Sequence, residues 1–163
     1  MGIHHIPADG NCMYSAISHQ LSLLQDTAFL ERIYPPLDIK DVMQLRRRVA
    51  EYMREHPDDF APFLDDGSDS HIDLNAYCDR VETRQDCWGG QLELKAFAEC
   101  LDMVIHVYAV GMPLVVMEKH KGDGVEKYKD DDRPILRLCY HRKMYGLGEH
   151  YNSVVVLSKE SNE

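Results

Sequence analysis

No stretch of 18 or more apolar residues occurs in the chain, so no segment reads as a membrane-spanning helix. The N-terminal Met-Gly-Ile-His-His-Ile-Pro has no basic segment followed by an apolar run, so a secretory leader is not expected. Ile6 stands where a myristoylation signal wants Ser or Thr, so lipidation of Gly2 is not expected either. Cysteine is sparse and unpatterned. Cys12, Cys78, Cys87, Cys100 and Cys139 form an odd set without a C-x-x-C pair, which suggests neither a zinc site nor a disulfide framework. A reducing compartment follows as the expectation, cytoplasmic and also nuclear. Positive charge is short: 18 Lys and Arg face 28 Asp and Glu, a net charge of −10. Such a chain repels phosphate backbones, so nucleic acid is not an expected partner, whereas a basic protein surface would be drawn in. His71, His106 and His141 fall without i,i+3 or i,i+4 ligand spacing, so no metal or cofactor is expected.

What remains is an ordinary globular composition, 44% apolar and 28% charged over 163 residues, enough for one monomeric domain with its own core. The domain is expected over residues 1–157, with Ser158–Glu163 a frayed polar tail. Helical periodicity predicts a helix from Cys12 to about Leu24 and a second opening at Asp38 or Asp41. The second buries Val42, Leu45, Val49 and Tyr52 and stops at Pro57. A short turn around Phe60–Leu64, a helix capped by Asp73 and another over Gln91–Leu101 follow. Then β-branched residues take over: Val104–Val110, Leu114–Met117, Ile135–Tyr140 and Ser153–Leu157 read as strands. The charged, glycine-containing Lys119–Arg133 reads as a loop. Helices first and strands later predict an α+β domain with a small central sheet flanked by helices.

Two stretches can carry chemistry. In Pro7-Ala8-Asp9-Gly10-Asn11-Cys12-Met13-Tyr14, a turn-forming run delivers a cysteine to the first turn of an amphipathic helix. Unpaired N–H groups and the positive end of the helix dipole favour a thiolate there. Those N–H groups, with those of the Asp9–Asn11 turn, can also hold a tetrahedral oxyanion, and Gly10 lets the backbone approach a substrate closely. A buried structural cysteine is the bland alternative. In Tyr145-Gly146-Leu147-Gly148-Glu149-His150-Tyr151-Asn152-Ser153, a glycine-hinged loop leads into a strand starting at His150. Residues i and i+2 share a strand face, so Asn152 can accept from one ring nitrogen of His150 and leave the other for Cys12. A cysteine nucleophile needs such a base and such an orienting group.

Asp9-Gly10-Asn11-Cys12, Trp88-Gly89-Gly90-Gln91-Leu92-Glu93-Leu94 and His150-Tyr151-Asn152-Ser153-Val154, in that order, resemble the ovarian-tumour (OTU) domain deubiquitinases over essentially the whole chain. The fit is closest to the branch with Pro-Ala-Asp-Gly-x-Cys-Met-Tyr and Tyr-Gly-Leu-Gly-Glu-His-Tyr-Asn-Ser-Val. The resemblance implies a papain-like fold and cleavage after the C-terminal glycine of ubiquitin or polyubiquitin conjugates, without a cofactor. It places the nucleophile at Cys12, the base at His150 and the third member at Asn152, where many relatives carry Asp. It also includes Asp9, which either shapes the oxyanion turn or assists His150. Gly10 and Asn11 belong to the same turn.

Trp88 either walls the channel for the ubiquitin Gly-Gly tail or fills the core, and burial is the usual fate of a large aromatic. Glu149, with Asp65, Asp66, Asp69, Glu82 and Asp86, either meets the basic tail of ubiquitin or forms a solvated acidic face. With the nucleophile twelve residues from the start, an excised domain is the expectation. An inactive ubiquitin-binding module, or the same thiol chemistry on a ubiquitin-like modifier, are the competing readings.

Overall fold

The computed structural model describes all residues except 26, 65–71, 120–131, 144, 145, 147 and 157–163. The expected C-terminal tail and most of the Lys119–Arg133 loop therefore lie outside the described residues, as do Asp65, Asp66, Asp69 and His71.

Strand β1 (Gly2–His4) precedes helix α1 (Cys12–Ser22), short α2 (Thr27–Glu31) and α3 (Val42–Glu55). Then come α4 (Pro57–Phe60) with a 3-10 turn over Ala61–Phe63, α5 (Leu74–Thr83) and α6 (Gln91–Cys100). Strands β2 (Val104–Ala109), β3 (Val115–Met117), β4 (Ile135–His141) and β5 (His150–Val155) complete the chain. The start signals are chemical. Asp41 accepts from the Met43 and Gln44 N–H groups and Asp73 from that of Ala76, so each satisfies orphan donors of a first turn. Pro57 ends α3 and opens α4 at a position where its missing N–H costs nothing.

The mixed sheet runs β1-β5-β4-β2-β3. Among the described strands only the β2/β4 pair is parallel, and its crossover contains β3, an antiparallel edge strand on β2. In the β4/β5 ladder His141 faces His150 and Cys139 faces Asn152. Helix α1 lies on β5 and β4, and α3 packs on α1, α5 and α6. Their apolar stripes, with Ile17, Leu21, Val49, Met53, Leu94 and Phe97 fully buried, meet Ile105, Leu136 and Leu138 of the sheet. The α+β architecture is the one expected; β1 and α2 were not anticipated.

One polar residue fixes α1 along the sheet. Gln20 sits in the helix's apolar stripe, yet its amide donates to Ser153 Oγ (2.6 Å) and to the Val154 carbonyl (2.9 Å). Its Oε1 accepts from the Arg137 N–H (2.8 Å). Beside it, His19 Nδ1 lies 2.7 Å from Ser153 Oγ, and its ring stacks on His4 at 3.7 Å. These bonds tie the helix that begins with Cys12 to the strand that begins with His150, at both β5 and β4.

Candidate active site

Cys12 is the first residue of α1 and is 7% exposed. The backbone N–H groups of Met13 and of Tyr151, the residue after His150, point at its sulfur. A donor from β5 thus reaches the thiol, which places the helix tip against the first peptide of the strand. The helix-tip donors do favour the thiolate, as expected. Burial outweighs them, however, and with the negative charge of Asp9 it pushes the thiol above its ordinary 9.0. Burial thus opposes the stabilisation expected from the helix tip.

His150 is 4% exposed and Asn152 fully buried. His150 Nε2 lies 3.1 Å from Asn152 Oδ1. The same oxygen accepts from the Ile6 backbone N–H at 2.7 Å. An N–H can only donate, so this second bond identifies the atom as the amide oxygen. Nε2 then carries the proton, and Nδ1 keeps the lone pair that a base needs.

The turn before Cys12 is braced by Asp9. Its carboxylate accepts from the Asn11 N–H (2.8 Å), and its carbonyl accepts from the Cys12 N–H (3.2 Å). Asp9 thus shapes the turn, one of its two expected roles, and it engages two of the N–H groups expected to receive an oxyanion. A Cβ on Gly10 would lie 1.7 Å from the Gln85 carbonyl oxygen. The close approach that requires glycine here is to the neighbouring 84–88 turn; approach to a substrate was the expectation.

Trp88 is 49% exposed, so burial in the core is corrected. Beside it, Met13 and Tyr14 lie within 2.5–3.0 Å of where a Cβ on Gly89 would be. The Trp88 ring instead lies against Gly148, whose missing Cβ would meet it at 3.4 Å and whose φ of +102° favours glycine. Trp88, Asp9, Gly10, Gly148, Glu149 and His150 line one cleft of about 140 Å³. Residues from all three sequence motifs thus share a single surface.

Glu149 also borders a second, larger groove of about 350 Å³, between the start of α6 and the β2–β3 edge, lined among others by Leu94, Val107, Met117, Tyr140 and Arg142. Tyr140 donates to the Glu149 carboxylate, and this bond, after burial, raises its phenol. Glu82 pairs with Arg47 (3.3 Å) and Arg54 (3.0 Å), and Asp86 with Arg84 (2.5 Å). Those two acids are neutralised on their own surface. Among the described residues, no group of three His, Cys, Asp or Glu side chains could hold a metal.

Sequence reasoning missed Arg46, which is fully buried behind the turn that precedes Cys12. The signal was present: with Val42, Leu45 and Val49 on the buried stripe, helical spacing places Arg46 on that same face.

The chain matches the family model described as "OTU-like cysteine protease" over residues 7–151. It is 38% identical over 165 residues to "Deubiquitinase OTUD6B" of Mus musculus, covering 99% of this chain and 48% of that protein. It is 34% identical over 151 residues to "OTU domain-containing protein 2" of Saccharomyces cerevisiae, covering 91% and 43%. The chain spans about half the length of the curated relatives it matches. Among solved structures, the OTUD1 OTU domain superimposes with a TM-score of 0.62 at 23% identity, covering 93% of this chain and 83% of that one. An OTU domain in complex with ubiquitin gives 0.62 at 17%, covering 93% and 67%. At these identities the structures establish the papain-like fold.

Proposed function

We propose, since the chain belongs to the OTU-like cysteine protease family, that this domain hydrolyses the peptide or isopeptide bond after the C-terminal glycine of ubiquitin. The observation that carries the reading is the shared cleft, into which the nucleophile turn, the Trp-Gly-Gly segment and the loop ending in His150 all contribute. The relatives named deubiquitinases supply the substrate class.

The chemistry follows from the proton positions. Asn152 holds the Nε2–H of His150, so Nδ1 takes the Cys12 proton as the sulfur attacks the glycine carbonyl. With the thiol held above its ordinary pKa by burial, this transfer accompanies substrate arrival. The negative charge formed on the carbonyl oxygen is held by backbone N–H groups of the nucleophile turn, displacing the Asp9 contacts that occupy them at rest. When the C–N bond breaks, His150 returns the proton to the departing lysine amine and leaves a thioester on Cys12. Water, deprotonated by His150, attacks the thioester, and ubiquitin leaves with a free carboxylate while Cys12 regains its proton. Asn152 is neutral, so it orients the imidazole but stabilises the imidazolium less than a carboxylate would.

The ubiquitin tail enters past Trp88 and Glu149, and the groove beyond Glu149 takes the residues before the two glycines. Glu149 and the Tyr140 hydroxyl there suit the arginines of that tail. Ubiquitin carrying a C-terminal electrophile is expected to label Cys12 covalently. Labelling that persists in Cys12→Ala would refute the assignment, and binding without turnover of a fluorogenic ubiquitin amide would favour a binding module.

A further inference from the structure

Among the described residues, Arg46 is the largest side chain with no exposed surface. Burying a guanidinium is costly unless its donors are satisfied, and among the described residues no carboxylate forms an ion pair with it. Its partners are neutral oxygens. Nε donates to Asn11 Oδ1 (2.8 Å) and Nη2 to the Gly10 carbonyl (2.8 Å). Nη1 donates to the carbonyls of Val81 (2.9 Å) and Cys87 (3.0 Å). The guanidinium carbon lies 4.3 Å from the centre of the Tyr14 ring. One planar fork from α3 therefore joins the nucleophile turn, the end of α5 and the residue before Trp88.

One of the four bonds acts on the peptide plane between Gly10 and Asn11, and a second holds the Asn11 side chain beside it. In a trans peptide the C=O and the N–H point in opposite directions. Drawing the Gly10 carbonyl inward to Arg46 turns the Asn11 N–H outward, where the Asp9 carboxylate meets it. Asp9 is exposed and lines the cleft with His150. The Asn11 side chain does not cap α1; it is committed to Arg46.

We infer that Arg46 is a positioning residue for the oxyanion donor, holding the Gly10–Asn11 peptide so that its N–H faces the cleft. The inference rests on the cysteine-hydrolase reading above and adds to it the side chain that presets the donor. Lysine is not a substitute. Its ammonium has no planar fork, so it does not reach acceptors on three separate segments at once.

The test separates acyl chemistry from thiol reactivity in the full chain. Alkylation of Cys12 by iodoacetamide displaces iodide at a saturated carbon and forms no oxyanion; hydrolysis of a fluorogenic ubiquitin amide does. Arg46→Lys is expected to lower kcat about a hundredfold, as loss of an oxyanion donor does, with KM and the alkylation rate each within about threefold of wild type. Asn11→Ala keeps the arginine and removes one of its two bonds to the turn. It is expected to show the same split at about a tenfold loss of kcat, and it decides the matter if Arg46→Lys does not fold. A folded variant with kcat within about threefold of wild type overturns the inference. Turnover, alkylation and Tm falling together also overturn it, since a strut of the fold alone gives that pattern. A wild-type chain that neither turns over the amide nor reacts with the ubiquitin electrophile sinks the deubiquitinase reading and this inference together. Active wild type with indifferent variants sinks only the inference.

Discussion

Gly10→Ala adds one methyl group where the structure has least room for it. The new Cβ would lie 1.7 Å from the Gln85 carbonyl oxygen, against a practical minimum of 3.0 Å, so the two backbones must separate by at least 1.3 Å. Arg46 resists the separation because it is bonded on both sides, to Gly10 at 2.8 Å and to Cys87 at 3.0 Å. A shift of that size takes one of those bonds out of range. A charge-assisted bond is worth about 1.5–3 kcal/mol, and overpacking strain adds about 1–3 kcal/mol. The sum, roughly 2.5–6 kcal/mol, is a large part of the roughly 5–15 kcal/mol that holds such a domain folded. Differential scanning fluorimetry should show a Tm lower by about 10 °C. Turnover of a ubiquitin amide should fall about a hundredfold, since the displaced turn leads into Cys12, the proposed nucleophile. Gly89→Ala is the internal control. Its Cβ meets mainly the Met13 Cε and Sδ at 2.5 and 2.7 Å, the yielding end of a flexible side chain, so about 1 kcal/mol is expected. Gly10→Ala with a Tm within about 2 °C of wild type and normal turnover would show that the turn yields freely, and the reasoning would be wrong.

Asn152→Ala should lower turnover about a hundredfold, within the range a general base supplies. It should also cost about 1–3 kcal/mol by orphaning the buried Ile6 N–H. Asn152→Asp keeps both acceptor bonds and should retain fold and turnover; loss of turnover there would contradict the orienting role. Trp88→Ala should raise KM about tenfold and shift stability by less than about 1 kcal/mol, because the ring is half exposed. A loss of about 3–5 kcal/mol, typical of a buried aromatic, would restore the core reading. Burial raises the Cys12 thiol, so less thiolate exists at any given pH. Its alkylation rate should keep climbing through pH 9.0 without an earlier plateau. Removing the Asp9 charge with Asp9→Asn should move that profile to lower pH. A plateau near neutrality in wild type would show a preformed thiolate and contradict the burial argument.

Much of the molecule was legible because its signals are local. Asp41 and Asp73 cap the helices they precede, and the β-branched runs form β2, β3, β4 and β5. The pairing of His150 with Asn152 follows from strand alternation alone. The misses depend on contacts that sequence spacing does not encode. β1 has three residues and no alternation to read, and only its pairing with Ser153–Val155 makes it a strand. α2 is five residues long with none buried, so it carries no periodic stripe. The expected thiolate ignored how deeply the helix tip sits in the fold, a tertiary property. Trp88 was judged by its size, whereas its ring lies half exposed against Gly148, a contact that spacing does not encode. Arg46 differs from these, since a lone charge on an apolar helix face was visible from the start.

The first six residues acquire a significance their composition does not suggest. β1 covers the outer side of β5, and the chain then passes Asn152 closely enough for Ile6 to share the amide oxygen that orients His150. Removing residues 1–6 would turn the strand that begins with His150 into the border of the sheet and take away the Ile6 N–H that donates to the Asn152 amide oxygen. A protein shortened by those few residues would differ from this one in the setting of His150 as well as in its length.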